Sequence, residues 1–426
     1  NGQLSIANAA LLSTGSLNSL GTLALSGSAI LSTPTVTLAA DAIGTVNGVL
    51  TVTGTGNQVS GTLTIEADSS YAGQLILGEF GGGNIALDVA LGIVNAGIIT
   101  IDNSDAAPAD ATLSVGGSGI INTGTIEFID TLGGGGLRVI DAAITNSGGQ
   151  IVLNTDAVIA NTGHTFDTIG GALDLDTWSL TIDGGDTIFG GTALLGTGTL
   201  NFAGTAVLTL DGNFTLAATG PDLTLSGAVT IEGATGGEGT PTFFIDDGKT
   251  LTLDGDTVAD TVILSVDGVL NIEGTGTTIA AATNINSPDG AFNVAPGATV
   301  TITAPGYIFN GGGKISVGPG GTLVLNGTNI ENTGIITGEG TIQLVNGADI
   351  AGDGIIDIAG INNVGTLDIT GGTVVFDDNS ILDIDIGLGG TNDILNLDTM
   401  DLTAANDYLS LNFAQGFDPV VDGNQF

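Results

Sequence analysis

The 426 residues contain no cysteine, which excludes disulfides, thiolate metal centres and a cysteine nucleophile. Positive charge is almost as scarce. Arg138, Lys249 and Lys314 stand against 45 carboxylates, for a formal net charge of −42. A chain with so few cations cannot neutralise phosphates, so nucleic acid and anionic membrane surfaces are poor partners. Divalent cations and basic surfaces fit the charge instead. The shortage of Lys and Arg also removes most tryptic sites, which suits exposure outside a cell. His164 is the only histidine, so no multi-imidazole centre can form. No apolar run approaches the roughly 18 residues of a spanning helix, so membrane insertion is not expected. No stretch of twelve or more residues carries a helical period with caps, so almost no helix is expected. The chain opens at Asn1 without a basic segment and apolar run, and reads as a mature or trimmed product.

Abundant instead are glycine, 73 residues, and short β-branched runs, with hydrophobic residues at 42%. That apolar content is enough for a core and argues against bulk disorder. The runs alternate apolar and polar over four to six residues, as in GTLALSG or GTLTIEA, and Gly, Asn and Ser separate them. This is strand–turn text. One unit recurs: Asn332-Thr-Gly334 before IITG, Asn95-Ala-Gly97 before IITI, Asn122-Thr-Gly124 before TIEF, and likewise at Asn146, Asn161 and Asn363. Asn is read here as a turn residue and Gly as one tolerant of positive φ.

Spacings of 27, 24 and 15 between the units at 95, 122, 146 and 161 imply coils of variable length with more than one strand each. An antiparallel sandwich would also supply many short strands. Self-similarity over nearly the whole chain favours a repeat stack, because one sandwich cannot hold that many residues. The expected fold is all-β: a parallel β-helix, or β-solenoid, right-handed, with irregular coils of roughly 20–25 residues. Inward positions should stack as ladders of Ile, Leu and Val, and outward positions as ladders of Thr, Ser, Asn and Asp.

From about Gly371 the text changes. Ser380-Ile-Leu382-Asp-Ile-Asp, Asp393-Ile-Leu395-Asn-Leu397, Leu409-Ser-Leu411 and Gly416-Phe-Asp-Pro419 follow in order. This segment resembles the C-terminal β-helix repeats of bacterial autotransporter passengers and related surface proteins. Residues 1–375 are therefore assigned to solenoid coils, and 376–426 to passenger-like repeats continuous with them. The resemblance implies an extracellular or cell-surface location.

Candidate chemistry is sparse. Asp246, Asp247, Asp254, Asp256, Asp377 and Asp378 put hard oxygen ligands in turns and are the candidate calcium ligands. No other cofactor is called for. Gly389-Gly-Thr-Asn-Asp393-Ile-Leu395 approaches a calcium-binding nonapeptide repeat. Asp383/Asp385 and Asp174/Asp176 are i, i+2 carboxylate pairs of the kind a glycosidase uses. A solvated outer face predicts the same pairs, and no residue is assigned a catalytic role. Trp178, Phe243 and Phe244 are read as packing residues rather than sugar platforms. The chain is expected to be no enzyme but a structural or adhesive surface protein, a stiff acidic rod. The alternative is a carbohydrate-active β-helix enzyme, either a polysaccharide lyase or a glycosidase. Expected partners are further copies, joined end to end into a fibre through strand-like, uncharged termini, and a carbohydrate or host-matrix surface.

Overall fold

The computed structural model describes residues 49–67, 72–78, 83–102, 109–131, 135–235, 239–303, 307–359, 365–386, 393–401 and 408–413, together with the backbone of six strands between residues 3 and 38. Among them there is no helix, and every strand pair is parallel; one antiparallel bridge joins Ala67 to Ala72. The fold is a β-solenoid. It has two compact units: Asn1–Asp211 with Thr219–Asp222, and Gly212–Ala218 with Leu223–Phe426.

In the first unit the coils up to Asp167 contribute three short strands each, and each strand pairs with its counterpart one coil later; beyond that point Ser179–Phe189 and Thr199–Leu210 each run through two of the three positions. Leu50, Leu75, Ile99, Ile126, Ile151, Leu173 and Leu194 stand one above another in register, so a coil takes 21 to 27 residues. The first six of these side chains are fully buried. The period-two pattern places them inward, and the residues between them, such as Thr51, face outward. Burying one such side chain contributes about 1.5–3 kcal/mol, and the stack repeats that gain at every coil.

The second unit follows the same rule. Leu251, Leu270, Phe292, Ile315, Ile336 and Ile356 form one inward ladder, with coils of 19 to 23 residues. Phe243 is core rather than platform. It is fully buried and meets Phe214 edge-on at 5.1 Å between ring centroids.

The recurring Asn is not a turn residue on the surface. Asn95, Asn122 and Asn146 are fully buried and in register, each one coil from the next. Asn95 Nδ2 donates to Asn122 Oδ1 at 2.6 Å, and Asn122 Nδ2 donates to Asn146 Oδ1 at 2.7 Å. The second unit repeats the device, with Asn310 Nδ2 donating to Asn332 Oδ1 at 2.6 Å. The spacings of 27 and 24 are therefore coil lengths. The spacing of 15 is not, because Asn161 follows the strand Ala157–Ala160 at a different corner and donates to Asp186 O.

The glycine of the unit has one of two reasons: Gly148 and Gly163 take the expected positive φ, 77° and 79°. Gly124 does not have a positive φ; a Cβ there would run into the carbonyl oxygen of Gly97 one coil below. It is glycine because two coils touch, backbone on backbone.

Candidate functional site

The six candidate calcium ligands all lie in the second unit, and the structure places them at three separate turns. Asp246 and Asp247 occupy the turn before the strand Thr250–Asp254. There Lys249 N donates to Asp246 O at 3.0 Å. Asp254 is exposed, whereas Asp256 is fully buried. The Asp256 carboxylate accepts from Val229 N at 3.0 Å and from Asp254 N at 2.7 Å. Burial lifts its pKa to about 6; the two backbone N–H groups work against the rise, and the Asp254 charge adds to it. Asp256 thus ties two backbone donors together across coils.

Asp377 and Asp378 are exposed beside an open groove of about 650 Å³, which Glu331, Thr333 and Asp353 also line. Among the described residues, no three carboxylate or imidazole side chains stand together as a ready metal cage. The nonapeptide-like stretch Gly389–Asn392 lies outside the described residues.

A different set of carboxylates does crowd together. Asp357 and Asp383 are register partners on neighbouring strands, and Asp385 follows Asp383 on the same strand, Ile381–Ile386. Asp393 closes the group: its Oδ2 accepts from Asp385 N at 2.6 Å and its Oδ1 from Gly365 N at 2.9 Å. Burial first, then the charges of Asp383, Asp385 and Asp393, pushes Asp357 up to about 6, with Lys314 pulling the other way. Burial likewise raises the pKa of Asp393; its two backbone donors oppose this, and the charges of Asp385 and Asp383 add to it. Asp385 is only 3% exposed, and neither of its carboxylate oxygens has a hydrogen-bond partner. The i, i+2 spacing of Asp383 and Asp385 was visible in the sequence. The arrival of Asp357 was not, because it depends on coil length, nor was that of Asp393, which returns to the Asp385 backbone eight residues later.

The other carboxylate pair separates. Asp174 ends a strand, while Asp176 sits in the following turn at φ 47°, its N–H donating to Asp174 Oδ1 at 3.2 Å.

Two further grooves mark the first unit. One, of about 420 Å³, is lined by Gln58, Asp88, Ser114, Asp141 and His164. Gln58, Asp88, Ser114 and Asp141 form one outward row across four coils. His164 Nε2 lies 3.3 Å from Asp141 Oδ1. The other, of about 640 Å³, has half-exposed Trp178 beside Asn154 and Asp156. Asp156 Oδ1 accepts from Ser179 N at 2.8 Å.

Two of the three cations are buried. Arg138 is fully buried and pairs with Asp130 at 3.1 Å; it also donates to Ile129 O and Gly136 O. Lys249 is 9% exposed.

Neither a family model nor a curated protein sequence matches the chain.

Proposed function

We propose that the chain is an extracellular structural or adhesive protein of a bacterial surface, of autotransporter-passenger type, which adds copies of itself through an open coil. The observation that carries this reading is a gradient of burial along one inward row. Ile315, Ile336 and Ile356 are buried, Leu382 is half-buried, and Leu409 is 62% exposed. Leu411, paired with Ile384, is 43% exposed. Among the described residues, the strand Tyr408–Phe413 therefore carries leucines at core positions with no coil covering them. Among the described residues its second edge also pairs with no strand. Apolar area and unpaired backbone N–H and C=O groups together form a template for another strand layer. A head-to-tail contact of this kind does not close, so it propagates. The charge of −42 opposes association, but salt screens that repulsion beyond about 10 Å at 0.1 M.

Sedimentation velocity at physiological salt tests the reading. Species growing with concentration are expected, and Leu409→Asp with Leu411→Asp should dissolve them. A single species of 41.7 kDa across the concentration range would overturn it.

The groove in the first unit favours a second reading, that of a carbohydrate-active enzyme. Asp88 and Asp141 share an outward row two rungs apart, about 9.6 Å between backbones. That is close to the spacing of acid and base in inverting glycosidases, and His164 holds one of the pair. Release of reducing ends from polysaccharide, abolished by Asp141→Asn, is the outcome this reading requires. Equal release by wild type and variant would retire it.

A further inference from the structure

We propose that the carboxylates Asp357, Asp383, Asp385 and Asp393 form a site for one divalent cation of the calcium class, with Asp385 as its central ligand. The reading does not depend on self-assembly or on catalysis.

Asp385 carries the inference. A carboxylate that is 97% withdrawn from water should either accept hydrogen bonds or face a positive charge. Its two oxygens accept none, while its own backbone N–H and C=O are both engaged by Asp393. The backbone of Asp385 is therefore held in place while its side-chain acceptors stay unused. Buried acceptors left over in this way mark the position of an ion or a water.

The neighbours make an ion the better occupant. Asp383 lies two residues away on the same strand, and Asp357 is the register partner of Asp383 one coil below. Asp393 is fixed by two backbone donors, which leaves each of its oxygens a free lone pair. The one cation whose charge acts on Asp357 is Lys314. Four carboxylates against one ammonium leave a local excess of negative charge that a dication would neutralise. All the donors are hard oxygens, which suits Ca²⁺ better than a transition metal.

Because no three of these side chains already converge, the site is not a preformed cage. Asp385 and one neighbour would bind directly, backbone carbonyls and water would complete the shell, and the remaining carboxylates would act through charge. Six to eight oxygens around Ca²⁺ at 2.3–2.6 Å allow such a mixed shell.

The experiment is calorimetric titration of the full chain with CaCl2 in 0.15 M NaCl, with thermal melts in calcium and in EDTA. Wild type should show one site of defined stoichiometry above the weak binding of a highly acidic surface, and a higher melting temperature in calcium. Asp385→Asn keeps the shape and removes the charge. It should weaken the defined site by at least about tenfold and remove the calcium shift, while the fold persists in EDTA. Asp357→Asn should weaken binding less, and Asp246→Asn with Asp247→Asn should leave the defined site unchanged. If wild type and Asp385→Asn bind and melt alike in calcium, the proposal fails. It also fails if the Asp246/Asp247 variant loses as much binding as Asp385→Asn.

Discussion

Asn122 is the middle rung of the buried amide ladder, and replacing it with alanine tests whether that ladder holds the coils of the first unit together. Its Nδ2 donates to Asn146 Oδ1 at 2.7 Å and, at 3.3 Å, to Gly124 O and Gln150 O; its Oδ1 accepts from Asn95 at 2.6 Å. In Asn122→Ala, Asn95 Nδ2 keeps its bond to Thr125 O, but Asn146 Oδ1 loses its amide donor at a fully buried position. Two buried side-chain bonds at about 1 kcal/mol each, with a stranded acceptor at about 1–3, give a loss of roughly 3–5 kcal/mol. The vacated volume adds to this. Asn122→Asp is the sharper variant. At neutral pH its carboxylate can still accept from Asn95 but faces Asn146 Oδ1 acceptor to acceptor. It should be at least as damaging as alanine, and it should recover as the pH falls, because a protonated carboxyl can donate to Asn146. Urea unfolding followed by the fluorescence of Trp178, the only tryptophan, reports on this unit. Asn154→Ala, at an exposed position, is the control and should change stability by less than about 0.5 kcal/mol. A loss below about 1 kcal/mol for Asn122→Ala would refute the ladder's role.

Three other outcomes follow from the same geometry. Gly124→Ala drives a Cβ into the Gly97 carbonyl and should lower the urea midpoint of the first unit, whereas alanine at Gly191, where a Cβ meets nothing, should cost only the strain of its φ of 61°. Arg138→Ala leaves Asp130 without its cation and two carbonyls without a donor, so a loss of about 3–5 kcal/mol is expected in the same assay. Asp256 has a folded pKa of about 6 against 3.8, so the native state binds its proton more readily than the unfolded chain. Stability from this group is full below about pH 4 and is lost as pH rises through 6. The bound of about 3 kcal/mol falls to about 1–2 after solvent screening. Melting curves of the second unit should therefore rise between pH 7 and pH 4. Asp256→Asn should flatten that rise, and an unchanged profile in the variant would count against the assignment.

The period-two runs determined strands, and the repetition of those runs determined a stack, since an inward side chain at every second residue needs a like neighbour above and below it. A coil of between 20 and 30 residues is legible too, since Asn95, Asn122 and Asn146 recur at intervals of 27 and 24. The direction in which Asn122 points was not legible. An Asn before a Gly satisfies a surface turn and a buried corner equally well, and only the neighbouring coil supplies the second amide that makes burial favourable. The same limit hid the acidic cluster. Asp357 and Asp383 are 26 residues apart in a chain whose coils vary in length, so one residue more or less would set a different side chain beside Asp383. Asp256 looked like half of a calcium turn with Asp254, yet a backbone N–H from Val229, 27 residues earlier, occupies one of its oxygens. Local sequence sets which residues alternate inward, but register between coils decides which side chains meet, and register is a property of the stack.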